Sequence, residues 1–276
     1  MTYATVMVGL ALDRSNQARL EIAGQLAERF GASVIGITAA EFSPPLYFIS
    51  GEQAQNLIDQ GRTTIKNRIA DLEDEFRAAM HNRAADAEWR CAEDFPVRYI
   101  VREARASDII VVGEADGGVL GDPFVQVSPG DLVMQAGRPL LVVPDACDWL
   151  DLRSVLIGWK DTAEARRAVA DALPMLRKAT EVTVVEIVEE QADRSVAVSQ
   201  VGDVVAWLSR HGISASELVP DECGEAGEAL ERIASEVGAG VVVAGAYGHS
   251  RLREWILGGV TQRLINPSNR SSLLSR

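Results

Sequence analysis

The sequence has few cysteines and too few basic residues to balance its acidic ones. Among 276 residues there are three cysteines, Cys91, Cys147 and Cys223, and no two of them form a CxxC pair. An odd number of widely spaced cysteines argues against a disulfide framework and fits a reduced, cytoplasmic environment. The formal net charge of −13 argues against nucleic acid or an anionic membrane as a partner, because such binding needs clustered Lys and Arg.

Long apolar runs and common catalytic motifs are also absent. No run of 18 apolar residues occurs, so no membrane-spanning helix is predicted. The first apolar run ends at Asp13 without a preceding basic segment, so we expect a first strand there rather than a signal peptide. The sequence contains no HExxH, GxSxG or P-loop motif, which favours binding over catalysis.

The most informative stretch is residues 241–261. It starts with three valines, which predict a buried strand, and a helical pattern resumes at its end. The glycines between them allow backbone N–H groups to approach an anion, and a helix start presents unpaired N–H donors. No capping side chain stands at the glycine pair before the helix, so these donors are expected to be open to an outside anion. The predicted anion-binding residues are Gly245, Gly248, His249, Ser250, Gly258, Gly259, Val260 and Thr261.

The chain reads as a tandem repeat of one α/β unit. Residues 154–162 parallel residues 5–10, and the strand before Gly113 parallels the strand before Gly245. Strands that alternate with helices predict parallel sheets covered on both faces. At roughly 100–200 residues per domain, the length predicts two domains, 1–146 and 147–276.

The spacing G-x2-G-x9-G of Gly245, Gly248 and Gly258 resembles the nucleotide-binding loop of the universal stress protein family. The resemblance extends over most of both halves and implies two tandem doubly wound domains. Each is expected to hold a five-stranded parallel sheet of order 3-2-1-4-5 with helices on both faces. One departure is Gly259, which stands where the family pattern usually has Ser or Thr.

Further site residues follow from this resemblance. In such sheets ligands bind beyond the carboxyl ends of the strands where the strand order reverses, which here implicates Trp159 and Lys160. Lys160 stands where the family has Asp, and it would add a positive charge near the anion. The family also contacts adenine with backbone after the second strand, which corresponds to Val188.

The first half is predicted to have lost this site. Asp116 replaces the second glycine after Gly113, and Ser128 followed by Asp131 forms an internal helix cap. Asp13 and Gly113 are the residues of this vestigial site. The resemblance matches Asp13 to the Asp that the family places against the nucleotide, which makes Asp13 itself a candidate functional residue. As a bare residue, Asp13 is equally well a charge near a helix start.

The resemblance implies a cytoplasmic stress-response protein whose second half binds ATP, ADP or AMP, with Mg²⁺ carried by the phosphates rather than by protein ligands. At most slow ATP hydrolysis is expected. An internal pseudo-dimer would bring residues 140–143 close to residues 273–274, and a homodimer of chains is a further option. The alternative is a scaffold of the same fold that binds a metabolite or a protein partner instead. A hydrolase-like enzyme is disfavoured, because the first strand of the second half lacks an SGGxDS loop.

Overall fold

The structure, a computed structural model, describes residues 2–43, 51–115, 124–188, 194–221, 224–246, 259–266 and 269–276. The strands are β1 (Thr5–Gly9), β2 (Ser33–Ala39), β3 (Ala87–Ala92), β4 (Ile109–Gly113), β5 (Leu140–Val143), β6 (Ser154–Gly158), β7 (Glu181–Val185), β8 (Ser216–Leu218), β9 (Val241–Gly245) and β10 (Ser271–Ser275). The helices are α1 (Gln17–Phe30), α2 (Gly51–Met80), α3 (Pro96–Glu103), α4 (Pro129–Gln135), α5 (Ala163–Leu176), α6 (Arg194–Arg210), α7 (Ala226–Glu236) and α8 (Gly259–Ile265).

The ten strands of the described residues form one sheet. The order is β3-β2-β1-β4-β5 in the first half and, read from the other edge, β8-β7-β6-β9-β10 in the second. Each half therefore has the order that the resemblance implies. The two five-stranded halves join into one sheet because β5 and β10 pair antiparallel, with Leu141 opposite Leu273. The expected proximity of residues 140–143 and 273–274 is therefore confirmed. All other neighbouring strands are parallel.

Helices cover both faces of this sheet. One apolar core lies under α1, α2, α5 and α6, and it contains buried side chains from both halves of the chain. A second core lies on the opposite face under α3, α4, α7 and α8, and it too draws on both halves. The central strands are buried on both faces, as their valine- and isoleucine-rich sequences predict.

Hydrogen bonds between residues distant in sequence join the first half to the second half and to the connecting segment. The Tyr3 hydroxyl donates to the backbone carbonyl of Asp171 at 2.7 Å. Gln25, a buried side chain of α1, donates to the carbonyl of Asp148 at 2.7 Å and accepts from the Leu150 N–H at 2.8 Å. The connecting segment is therefore held against the first half by an amide that bonds at both ends.

Two element boundaries differ from the sequence prediction. A strand is predicted from Ile213, but β8 begins only at Ser216. Ile213 is still bonded to the preceding helix, because its N–H donates to the Leu208 carbonyl at 3.1 Å across the left-handed Gly212. Ser15 is predicted to cap α1, but the cap position is Asn16, whose side chain instead binds the backbone of Ala11.

Candidate ligand-binding crevice

The last residues of β6 and β9 form the point in the second half where the strand order reverses. Gly245 ends β9, and a Cβ atom placed on it would lie 2.5 Å from the backbone nitrogen of Ala165. The start of α5 therefore lies directly on the end of β9. Thr162 caps α5 by accepting from the Ala165 N–H at 3.2 Å. This contact makes Gly245 a packing glycine, and it brings the positive end of the α5 dipole to the crevice.

Three predicted site residues lie together at this edge of the sheet. Trp159 and Lys160 follow β6, and Val188 follows β7. Lys160 is exposed, whereas Trp159 is only 8% exposed and packs into the core under α5 and α6. Its indole ring therefore lies mostly among apolar side chains, directly after the end of β6. Val188 is partly buried against the same core.

Glu186 is a site candidate that sequence reasoning missed. It follows β7 directly, and burial together with the nearby carboxylate of Asp161 raises its pKa, against the opposing charge of Lys160. Asp161 itself is paired with Arg166. The crevice thus combines one lysine with two carboxyl groups. The sequence signal was weak, because a lone Glu after a strand is usually a solvated surface residue.

The start of α8 differs from the expectation that no side chain stands there. Gly259 is the first residue of α8, and a Cβ atom on it would lie 2.7 Å from the Oε1 atom of Glu225. Glu225 caps α7, and hydrogen bonds from the N–H groups of Gly227 and Glu228 lower its pKa. An ionised carboxylate therefore lies beside the helix start that was predicted to be unoccupied.

The other predicted residues of the glycine loop divide into two groups. Val260 and Thr261 lie in the first turn of α8, and Thr261 is buried. Arg263 of the same helix pairs with Glu228 at 2.9 Å and ties α8 to α7. Gly248, His249, Ser250 and Gly258 lie outside the described residues.

The equivalent crevice of the first half is filled by the chain itself. A Cβ atom on Gly113 would lie 2.7 Å from the Nε atom of Arg19. Arg19 is 4% exposed, donates to the Ser15 carbonyl at 3.1 Å and lies 3.8 Å from the carboxylate of Asp145. Both Arg19 and Ala165 are the third residue of their helix. A long side chain therefore occupies in one half the place that closely packed helix backbone occupies in the other.

The internal cap predicted in the first half is confirmed. The N–H group of Asp131 donates to the Ser128 hydroxyl at 3.2 Å, and Pro129 begins α4. Asp13 accepts a hydrogen bond from Gln126 at 2.7 Å and lies near Arg14. The carboxylate expected to be vestigial is therefore bound to a side chain of its own half.

A cleft of about 770 Å³ opens in the first half between α1 and α2, and Asp13 is among its lining residues. Two of its arginines are already paired, since Arg68 bonds Glu75 at 2.7 Å and Arg83 bonds Glu21 at 2.8 Å. We therefore do not assign the ligand site to this cleft.

Across the part of the chain that the structure describes, there is no group of three His, Cys, Asp or Glu residues able to hold a metal ion. None of the helices described is long and apolar enough to cross a bilayer.

Structures of known proteins match the whole arrangement. A universal stress protein from Archaeoglobus fulgidus DSM 4304 matches with a TM-score of 0.71 at 14% identity, covering 99% of this chain and 98% of that one. The chain has the tandem universal stress protein fold. A putative universal stress protein from Pseudomonas aeruginosa UCBPP-PA14 matches this fold with a TM-score of 0.63 at 14% identity, over 99% and 93% of the two chains.

The universal stress protein fold is also shared with a protein of unknown function from Pseudomonas aeruginosa PAO1. That match has a TM-score of 0.62 at 14% identity and covers 99% of this chain and 92% of that one. No protein-family model and no curated protein sequence matches the chain. At these identities the likeness establishes the fold.

Proposed function

We propose that the chain is a tandem universal stress protein that binds an adenine nucleotide through its second half and acts by binding rather than by catalysis. The observation that carries this proposal is the contrast between the two crevices. In the first half, Arg19 and Ser128 occupy the space and the helix donors. In the second half, the backbone of α5 rather than an arginine side chain lies against Gly245, and Lys160 is exposed at the edge of the crevice. The two units, 1–146 and 147–276, are thus one closed copy and one ligand-binding copy.

The nucleotide phosphates would lie near Lys160 and the start of α5. Lys160 carries a positive charge, and the start of α5 presents the positive end of the helix dipole. A charge-assisted hydrogen bond to a phosphate oxygen contributes roughly 1.5–3 kcal/mol. The residues of the glycine loop would add backbone donors. Any Mg²⁺ would arrive with the phosphates.

Two charge variants test this proposal in opposite directions. Lys160→Gln should weaken ATP, ADP and AMP binding about tenfold, the equivalent of roughly 1.4 kcal/mol. Glu225→Gln should strengthen it, because it removes a carboxylate from the start of α8. Titration calorimetry measures both affinities. Lys178→Gln and Glu236→Gln are matched controls, because they make the same charge changes at exposed sites outside the crevice.

A response to all four variants in proportion to net charge alone would contradict the proposed site. The absence of any nucleotide binding by the wild-type protein would contradict the proposed function.

One observation favours a second candidate, a scaffold that binds a different metabolite or a protein partner. The carboxylate of Glu225 beside Gly259 opposes an anion, and a thermal-shift screen that responds to another metabolite but to no nucleotide would select this candidate.

A further inference from the structure

Two side chains lie next to each other where β6 and β7 end. Gly158 and Val185 are the last paired residues of these parallel strands, and the Trp159 N–H donates to the Val185 carbonyl at 2.7 Å. The next residues in register are Trp159 and Glu186. Because neighbouring residues in register point to the same face of a sheet, both side chains project toward the α5 and α6 side, where Trp159 packs.

Each of these side chains carries a buried polar atom that has no hydrogen-bond partner among the residues that the structure describes. They are the indole Nε1 of Trp159, which can only donate, and the carboxyl Oε2 of Glu186. Trp159 is more than nine-tenths buried. Unsatisfied buried polar atoms are rare in folded proteins, and each one calls for a water, an ion or a ligand group that completes it. A donor and an acceptor at adjacent positions match a ligand that carries an acceptor and a donor side by side.

The first half provides an internal comparison at the same two positions. There the Leu10 N–H donates to the Ile37 carbonyl at 2.9 Å, the same backbone bond that Trp159 makes to Val185. The residue beside Leu10 is Thr38, whose hydroxyl donates to the Leu10 carbonyl at 2.9 Å, and both residues are buried. In the first half, the Thr38 hydroxyl therefore finds its hydrogen-bond partner within the pair. In the second half, Trp159 and Glu186 stand on the same arrangement of backbone bonds, but each keeps a polar atom for which the described residues offer no partner.

We propose that Trp159 and Glu186 form a recognition pair for a nitrogen heterocycle with an amino group next to a ring nitrogen. The indole N–H donates to the ring nitrogen, and the carboxyl oxygen accepts from the amino group. This assignment rests on the proposed function in one respect, since the heterocycle is taken to be the base of the bound nucleotide. The 6-amino group and N1 of adenine present this pair of groups, and unsubstituted purine lacks the donor.

The charges around the pair are consistent with this assignment. Lys160 and Asp161 stand at the outer side of the crevice, and the Asp161 carboxylate is paired with Arg166. Because Asp161 is engaged by Arg166, Glu186 is the carboxyl group that can accept from a ligand beside the indole. A hydrogen bond from a ligand amino group would favour the ionised form of Glu186.

Replacing the Trp159–Glu186 pair tests the proposal. The double variant Trp159→Leu with Glu186→Thr gives the second half the leucine and threonine that the first half has at positions 10 and 38. By calorimetry, the wild-type protein should bind AMP at least tenfold more tightly than the 5′-monophosphate of purine riboside. The double variant should bind both at the weaker level. Trp207→Leu with Glu217→Thr makes the same substitutions outside the crevice and should keep the wild-type preference. Glu186→Met, which keeps the length of the side chain but removes the carboxyl acceptor, should reduce the preference if the double variant does not fold.

The outcomes separate this inference from the proposed function. If the wild-type protein binds AMP but the double variant and Glu186→Met bind it equally well, the recognition pair is wrong and nucleotide binding stands. If no nucleotide binds, the proposed function fails and 2-aminopyridine, with pyridine as control, decides the inference. A shift of the Trp159 indole N–H signal in NMR with 2-aminopyridine alone, lost in Glu186→Met, supports the pair. No shift, or an equal shift with pyridine, overturns it.

Discussion

Gly113 ends β4 and Gly245 ends β9, at equivalent positions of the two halves, but the two glycines are packed against different kinds of atoms. Beside Gly113 the neighbouring atoms belong to the flexible side chain of Arg19, whereas beside Gly245 they belong to the backbone of Glu164 and Ala165. A side chain can move aside, but helix backbone cannot. The same substitution should therefore cost more at Gly245 than at Gly113.

Gly245→Ala should lower the free energy of unfolding by about 1–3 kcal/mol, the usual range for overpacking. The reason is that the added methyl group would lie 2.5 Å from the Ala165 nitrogen. Urea denaturation measures the loss. Gly202→Ala is the control, because its methyl group meets only a carboxylate oxygen at 3.5 Å, and in the middle of α6 it should stabilise by about 0.5–1 kcal/mol. An equal effect of the two substitutions would contradict the close contact.

Glu186→Gln should change the pH dependence of stability. Because the pKa of Glu186 is raised in the folded protein, its contribution is fully present below the ordinary value of 4.5 and is lost as pH rises through the folded value. The wild-type protein should therefore lose stability relative to the variant as pH increases from 4.5. Denaturation of both proteins across this range checks the sign, and a difference that does not vary with pH would argue against a buried carboxyl.

The sequence indicated where the crevice lies but not which side chains fill it. Gly245 and Lys160 could be found because glycine spacing and strand ends are local signals. Arg19 and Glu225 could not, because each reaches the crevice from an element distant in sequence from the glycine it contacts. Glu186 was missed for another reason, since its burial arises only when β7 is packed beside β6.

The two short helices α4 and α8 occupy equivalent places but begin differently. Ser128 caps α4 with its own hydroxyl, whereas α8 begins at Gly259 beside a carboxylate that belongs to the cap of α7. The α4 cap was predictable because Ser, Pro and an acidic third residue form a local pattern. The carboxylate beside α8 depends on how α7 and α8 pack, which no local pattern encodes.

Ser128→Ala should lower the free energy of unfolding by about 1 kcal/mol, because the Asp131 N–H loses its acceptor. Chemical denaturation measures the change. Ser209→Ala is the matched control, since Ser209 is exposed inside α6 and the substitution should be neutral or slightly stabilising. Equal destabilisation by both substitutions would show that the Ser128 hydroxyl does not act as a cap.

The whole molecule is joined by the β5–β10 pairing and by cores that continue across it. The strand order of each half and the approach of β5 to β10 could be predicted from the repeat and the resemblance, but the antiparallel register that makes a single sheet could not. Whether two edge strands meet depends on how the halves dock. The Tyr3 and Gln25 bonds to the second half and to the connecting segment show that this docking uses specific contacts.

We expect the two halves to unfold in one cooperative transition. Tyr3→Phe should lower the melting temperature of that single transition, because it removes the bond to Asp171 and a net hydrogen bond contributes about 1 kcal/mol. Tyr99→Phe is the control, since the Tyr99 hydroxyl bonds Cys91 within the first half, at 3.3 Å. Calorimetry that resolves two transitions, of which Tyr3→Phe shifts only one, would contradict a shared core.

The antiparallel junction of β5 and β10 also fixes the direction in which each half faces. The strands of the two halves run in opposite senses, so their carboxyl ends emerge at opposite rims of the sheet. A molecule held at one rim cannot reach the other. Because Arg19 fills the crevice of the first half, the proposed function predicts one nucleotide per polypeptide, bound at the rim of the second half. The rim of the first half would then stay accessible to a macromolecule that does not compete with that nucleotide.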